Sequence, residues 1–227
     1  MSVFRLLANF CDELHSLVSR FWWGSEQGKR KISWVAWKKL CQPKCYGGLG
    51  FRDFHKFNLA LLRKQVWRLM TNKECLMARI LLAKYSPSGN VMTAELGSNP
   101  SYTWRGIHEA RGVLRGGLRR RLGNGLSTRV WGDPWILNTQ TGKVLSPRNG
   151  ADDSMLVADL WNSGGSRWDC QKVRSLFLPF EQECILNIRI SNTRPEDAWY
   201  WAYEKDGSYS VKSAYKLIST EDSEWVG

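Results

Sequence analysis

Adjacent carboxylates, paired thiols, histidines and clustered cations are the groups in this 227-residue sequence that could do chemistry. Asp152 and Asp153 are neighbours, as acids that share metal ions in phosphoryl transfer can be, but they sit in a polar stretch that reads as loop and no apolar strand leads into them. His15, His55 and His108 stand in no recognisable Ser or Cys constellation, which leaves each a structural or surface role. Cys41 and Cys45, spaced C-x3-C, could supply half of a zinc site. A closed site needs four donors, however, and His55 alone does not complete the set. With Cys11, Cys75, Cys170 and Cys184 scattered, the six cysteines read as free thiols, as expected of a non-secreted chain. Gly47, Gly48 and Gly50 lack both a GKS/GKT ending and dinucleotide-fingerprint spacing, so they predict a tight turn with positive φ or close backbone approach rather than a phosphate loop.

What remains is positive charge. Residues 1–131 hold 23 of the 33 Lys and Arg against 7 Asp and Glu, while residues 132–227 hold 10 against 14. The net charge of +12 is therefore concentrated in one half, where many of the thirteen Trp also lie. Cations position a polyanion backbone and aromatic faces stack on unpaired bases, so this half is where a nucleic-acid partner is expected. The candidate backbone contacts are Lys29, Arg30, Lys31, Lys38, Lys39, Arg63, Lys64, Arg68, Arg119, Arg120, Arg121 and Arg129. Trp22, Trp23 and Trp131 are the candidates for base stacking.

These side chains need elements to position them. Apolar residues recurring at three and four predict helices over 3–20, ending at Gly24, and over 33–41, stopped by Pro43. The clearest helix is 54–71, with Leu59, Leu62, Val66, Leu69 and Met70 inward and Lys56, Arg63, Lys64 and Arg68 on the neighbouring flank. Further helices follow over 76–85 and to about residue 114, the latter capped by Ser101 or Thr103 with Trp104, Ile107, Ala110 and Leu114 inward. Asn124-Gly125 between arginine-bearing segments predicts a hairpin of 118–122 with 128–131. Four arginines on such a ribbon repel one another unless something anionic lies across them. Short helices around 157–161, 170–177 and 180–187, a second hairpin from Trp199 through Asp206-Gly207 to Tyr209, and a last helix capped by Ser210 complete the chain.

The order of these pieces resembles plant LINE-type, non-LTR retrotransposon reverse transcriptases. The likeness is carried by FWWG (21–24), KRKISWVAWKKLC (29–41), GGLGFRD (47–53), N-x-ALL-x-KQ-x-WR (58–68), LGSNPSYTWR (96–105), GNG (123–125), WGDPW (131–135), LFLP (176–179) and DGSYSVKSAYKLI (206–218). It implies a stretch downstream of the polymerase palm, from the end of the thumb through a connector to the start of a zinc-binding module. The parent polyprotein would be an RNA-directed DNA polymerase needing Mg2+, often with an endonuclease and sometimes a ribonuclease H. The family's aromatic-x-Asp-Asp motif is not matched, because Gly150 stands two positions before Asp152. The zinc module's ligands would fall beyond Trp225-Val226-Gly227, so the chain reads as a fragment.

The expected architecture is α+β: a mainly helical, basic amino-terminal half, then a basic β-hairpin and a smaller mixed α/β part with a second hairpin. Three regions are expected, a thumb-like 1–90, a connector 91–150 and a mixed 151–227. The expected function is backbone binding to template RNA, primer or RNA–DNA duplex, without catalytic residues, metal or cofactor in this chain. A domesticated or pseudogene-derived protein-interaction module is the alternative. No stretch approaches the roughly 20 apolar residues a membrane span needs, and no signal-peptide core opens the chain, so a cytoplasmic or nuclear location is expected.

Overall fold

In the computed structural model, residues 3–26, 29–30, 32–87, 89–114, 116–137, 139, 141–148 and 150–221 are described. Among them the order is α1 (Ala8–Trp23), β1 (Ser25–Glu26), β2 (Lys29–Arg30), α2 (Trp37–Leu40), a 3-10 turn at Lys44–Tyr46, α3 (Phe54–Thr71), α4 (Leu76–Tyr85), α5 (Tyr102–Leu114), β3 (Leu118–Arg121), a 3-10 turn at Val157–Leu160, α6 (Cys170–Leu176), α7 (Pro179–Leu186), β4 (Ala198–Trp201) and α8 (Val211–Glu221). The architecture is mostly helical, with two short antiparallel ladders, β1–β2 and β3–β4. No helix among the described residues is long and apolar enough to cross a membrane. Two compact units emerge, Met1–Leu114 with Tyr209–Gly227, and Arg115–Ser208. The cuts expected near 90 and 150 fall inside these units, and the final helix belongs with the first.

In the first unit α3 is the central element, contacting α1, α4, α5 and α8. Its start is fixed by Asp53, whose carboxylate accepts from His55 N at 2.9 Å and Lys56 N at 3.2 Å, two of the amides that a helix leaves orphaned. Leu62, Val66 and Leu69 are fully buried, as the helical period predicts, with Ala60 beside them, whereas Leu59 and Met70, expected inward as well, are half-buried. Asn58 is buried as well, and its side chain organises the lead-in to α1: Leu6 N donates to Oδ1 at 3.0 Å and Nδ2 donates to the Phe4 carbonyl at 2.9 Å. A helix from residue 3 would need that carbonyl for Ala8, which accounts for α1 beginning later than the periodicity suggests. Gly24 ends α1 at φ 78°. The second predicted helix shrinks to the single turn α2. The glycine turn is as expected, with Gly47 and Gly50 at φ 77° and 74° and a Cβ on Gly48 meeting the Gln42 carbonyl at 2.0 Å.

Helix α5 buries Trp104, Ile107, Ala110 and Leu114, and Ser101 Oγ caps it by accepting from Trp104 N at 3.2 Å. Trp104 lies parallel to Tyr85 of α4, ring centres 4.8 Å apart. The last helix returns to α3 through two tyrosines. Tyr209 donates its hydroxyl to the Ala60 carbonyl at 2.8 Å, and the Tyr215 hydroxyl accepts from Asp53 N at 2.8 Å. Ser210 caps α8 by accepting from Ser213 N at 3.0 Å.

The second unit departs from the predicted hairpins. Strand β3 pairs with β4, Leu118 opposite Trp201 and Arg121 opposite Ala198, and not with residues 128–131. The cause is Asp197, immediately before β4. Its carboxylate accepts from Gly123 N at 2.7 Å, Gly125 N at 2.9 Å and Ser127 N at 3.1 Å, so the GNG segment wraps an acid instead of making a two-residue turn. Beyond β4, Trp201 N does close a turn onto the Gly207 carbonyl at 2.7 Å, but Tyr209 belongs to the first unit and no returning strand forms. The core beneath is aromatic, with Val130, Trp131, Trp135, Val157, Phe177 and Ile185 buried together.

Arg63 lies within the α3 core at 0 % exposure, whereas Lys64 beside it is exposed. Truncating the buried side chain leaves a cavity within the unit. Arg63→Ala is therefore expected to destabilise the chain by about 2–3 kcal/mol and Lys64→Ala by less than about 0.5 kcal/mol in urea denaturation. Equal effects would contradict the interior placement.

Candidate nucleic-acid interface

The first unit carries 20 Lys and Arg against 10 Asp and Glu, and the second 13 against 11. The surplus thus belongs to the helical unit. Lys38 and Lys39 of α2 are exposed. Lys64 and Arg68 lie four residues apart on α3, so they share the narrow strip that this helix leaves to solvent, and both are exposed. Arg68 is steadied by donating to Gln65 Oε1 at 3.3 Å. Arg63 does not join this strip. Expected on the basic flank, it is drawn inside because α3 is covered on more than one side, which a single amphipathic face does not anticipate. Lys29 and Arg30 form β2, while their side chains, like the whole of Lys31, lie outside the described residues.

Aromatic side chains gather beside α2. Trp22 is half exposed and meets Phe51 edge-on, ring centres 4.8 Å apart, while Trp37 stacks on the same ring at 4.9 Å. Trp23 is half-buried. The indole N–H groups of Trp23 and Trp37 have no hydrogen-bond partner among the described residues. Trp34 is exposed, and so is Arg52, whose guanidinium lies 4.7 Å from the Phe57 ring centre. Trp131 leaves the set of candidate stacking residues. It is buried in the second unit, donates from Nε1 to the Ser146 carbonyl at 3.1 Å and stacks on Phe177, so no base can reach its face.

The arginines of β3 divide three ways. Arg120 is buried, donating from Nε to Thr128 Oγ1 at 3.1 Å and from its NH2 group to the Ser127 carbonyl at 2.8 Å, with Asp197 at 3.9 Å and the Trp199 ring 4.6 Å below. The anion that the ribbon requires is thus internal. Burial would raise the Asp197 pKa, but the amides of Gly123 and Gly125, the Thr128 hydroxyl and the Ser127 amide outweigh it and hold the group below the usual carboxylate range. Burial also lowers the Arg120 pKa, partly offset by Asp133 and Asp197. Arg119 is half-buried and donates to the Gly116 and Leu118 carbonyls at 3.2 and 2.9 Å. Arg121, over the Tyr200 ring, and Arg129 remain exposed.

The candidate metal and catalytic groups are engaged elsewhere. Asp152 accepts from Ser154 N and Oγ at 2.9 and 2.6 Å while Asp153 pairs with Arg148 at 2.7 Å, so the two carboxylates turn to different partners and do not fit a shared magnesium. Cys41 and Cys45 are free thiols, and burial, then the Asp53 carboxylate, pushes the Cys41 thiol up to about 11. Sequence spacing missed a third cluster. Asp12, His15 and His55 place ligand atoms within 4.8 Å of one another where α1 crosses α3. Yet His15 Nε2 already accepts from Phe54 N at 2.9 Å, which leaves the proton on its other nitrogen, and His55 Nε2 faces Asp12 Oδ1 at 3.1 Å. In this arrangement the cluster ties α1 to α3.

The chain belongs to the family of an uncharacterized mitochondrial protein of Arabidopsis thaliana, to which it is 48% identical over 139 residues, 61% of this chain and 90% of that protein. It is also homologous to a protein of the same plant provisionally named a ribonuclease H protein, at 30% identity over 234 aligned positions. That match covers 98% of this chain but only 36% of the relative's length. No family model and no solved structure matches.

Two measurements check this geometry. Asp197→Asn keeps the shape but turns an amide toward backbone N–H donors and leaves buried Arg120 with Asp133 as its remaining carboxylate neighbour. It should destabilise the chain by about 2–4 kcal/mol, and a loss under about 0.5 kcal/mol would show the carboxylate to be dispensable. For His15, burial lowers the pKa from 6.5, the Asp53 and Asp12 carboxylates oppose that, and His55 adds to it. A histidine with a depressed folded pKa contributes stability that is complete above the unfolded pKa and lost as pH falls below it. The thermal midpoint should therefore drop more steeply between about pH 7.5 and about pH 5 in the wild type than in His15→Gln. Parallel curves would rule this out.

Proposed function

We propose that the chain is a nucleic-acid-binding thumb and connector segment of a retroelement RNA-directed DNA polymerase, gripping the sugar-phosphate backbone and performing no catalytic step by itself. The observation that carries the reading is the set Lys38, Lys39, Lys64 and Arg68, exposed on a unit with a twofold surplus of cations, with half-exposed Trp22 on that unit. Exposed cations of this kind contact phosphate without reading sequence, and an aromatic face accepts any base. Motif order supports the retroelement parent, as does homology to a longer plant protein whose name refers to ribonuclease H, an activity that some such polyproteins carry. Arg121 and Arg129 offer a smaller, independent patch on the second unit. Template RNA, primer and RNA–DNA duplex share the backbone chemistry that these groups recognise.

Fluorescence anisotropy with a single-stranded RNA and with an RNA–DNA duplex, titrated across salt, tests the reading. The logarithm of the affinity should fall linearly with log salt, and the double variants K38A/K39A and K64A/R68A should each reduce the slope by about 2. Absence of binding at low salt, or an unaltered slope in both variants, would overturn it.

A further inference from the structure

Helix α1 carries an apolar seam that its own unit does not cover. Leu7 at its N-cap and Phe10, Leu14, Leu17 and Phe21 follow the spacing 3-4-3-4, which places them within about 80° of arc along one side of the helix. The packed side lies next to it: Cys11 is buried, His15 and Val18 are half-buried, His15 contacts α3, and Leu14, half-buried, stands at the border of the seam. By contrast Leu7 is 70 % exposed, Phe10 47 %, Leu17 52 % and Phe21 88 %. Large apolar side chains scattered singly are ordinary on a surface, but a continuous stripe in heptad register is the seam of a helix pair.

The charges beside the seam indicate what covers it. Glu13 and Arg20, both exposed, lie seven residues apart on the same flank, so they occupy equivalent heptad positions with opposite sign. In an antiparallel pair the two like flanks face each other. With Leu14 of one helix against Leu17 of the other, Phe10 meets Phe21, and Glu13 faces Arg20 of the second copy diagonally across the flank, offset by about 3 Å along the axis, as Arg20 faces its Glu13. A parallel pairing of the same helices would make no such match. We infer that α1 is a self-complementary dimerisation surface, packing antiparallel on the α1 of a second copy of this chain through the Leu7–Phe21 seam. The two-fold operation satisfies both charges at once, as an isologous contact requires. A seam of four turns falls short of the roughly 800 Å² per partner of a standard interface, so the association is weak, in the micromolar range.

Sedimentation equilibrium of the full chain, freed of nucleic acid, over roughly 1–200 µM tests this. The wild type should show a monomer–dimer equilibrium. Glu13→Arg or Arg20→Glu alone should weaken it about tenfold by setting like charges opposite each other, and the double exchange E13R/R20E should restore it. Leu17→Glu should abolish it with the far-ultraviolet circular dichroism unchanged, because that side chain lies on the surface. A monomer at all concentrations, or a dimer whose affinity ignores the charge exchanges, would overturn the inference.

Discussion

A backbone amide taken out of water must find an acceptor, and in the second unit that requirement falls on carboxylates because regular elements are short and far apart in sequence. Asp197 gathers the amides of Gly123, Gly125 and Ser127 together with the hydroxyls of Ser127 and Thr128. Glu181, fully buried on α7, does the same for Leu145 N and Ser146 N, and also accepts from Ser146 Oγ. Each acid fastens a loop distant in sequence to a helix or strand. Without them, the β3–β4 ladder and the aromatic core would have no fixed frame of connecting chain.

That constraint bears on function through charge. Acids consumed inside the second unit do not offset cations outside it, and Arg120 is the cation taken inside with Asp197. The first unit has fewer acids to begin with, and several of them also have assigned tasks: Asp53 caps α3, Asp12 faces His55, and Glu109 pairs with Arg5 at 2.7 Å. Exposed lysines and arginines on α2 and α3 are therefore left to shape the outer field. Two of the cations that the sequence offers for backbone contact, Arg63 and Arg120, are interior and add nothing to that field.

Legibility from sequence followed locality. The α3, α4 and α5 helices, and the inward faces of α3 and α5, could be read because period, cap and breaker lie within one segment, as with Ser101 before Trp104 and, for α1, Gly24 after Trp23. The glycine turn was legible for the same reason. What failed was decided at long range. The Asn124-Gly125 pair carries a strong hairpin signal, yet an aspartate more than seventy residues away captures its amides. Arg63 reads as a flank residue until one knows that α3 is enclosed by several helices at once. Trp131 gave no local sign of whether its face met a base or Phe177. The Asp12–His15–His55 cluster depends on a helix crossing that no spacing encodes, although Asp12 and His15, three apart on one helix, are two of its three members in plain view.

The residues that carry the likeness to reverse transcriptases now separate by what they do. Gly24 ends a helix, Gly47 and Gly50 turn the chain, Trp131 and Trp135 fill a core, Asp133 accepts from Arg129 N at 2.8 Å, and Tyr209 and Tyr215 pin α8 to α3. These motif residues hold a fold and would be required in any protein that shared it, whatever its partner. Lys38, Lys39, Lys64 and Arg68 lie within the same motifs but project into solvent, where a cation adds little to stability. Any solvated polar residue would serve the fold equally well at those four positions. A requirement for positive charge there, such as the proposed backbone contact would impose, has to come from what approaches the surface and not from the fold beneath it.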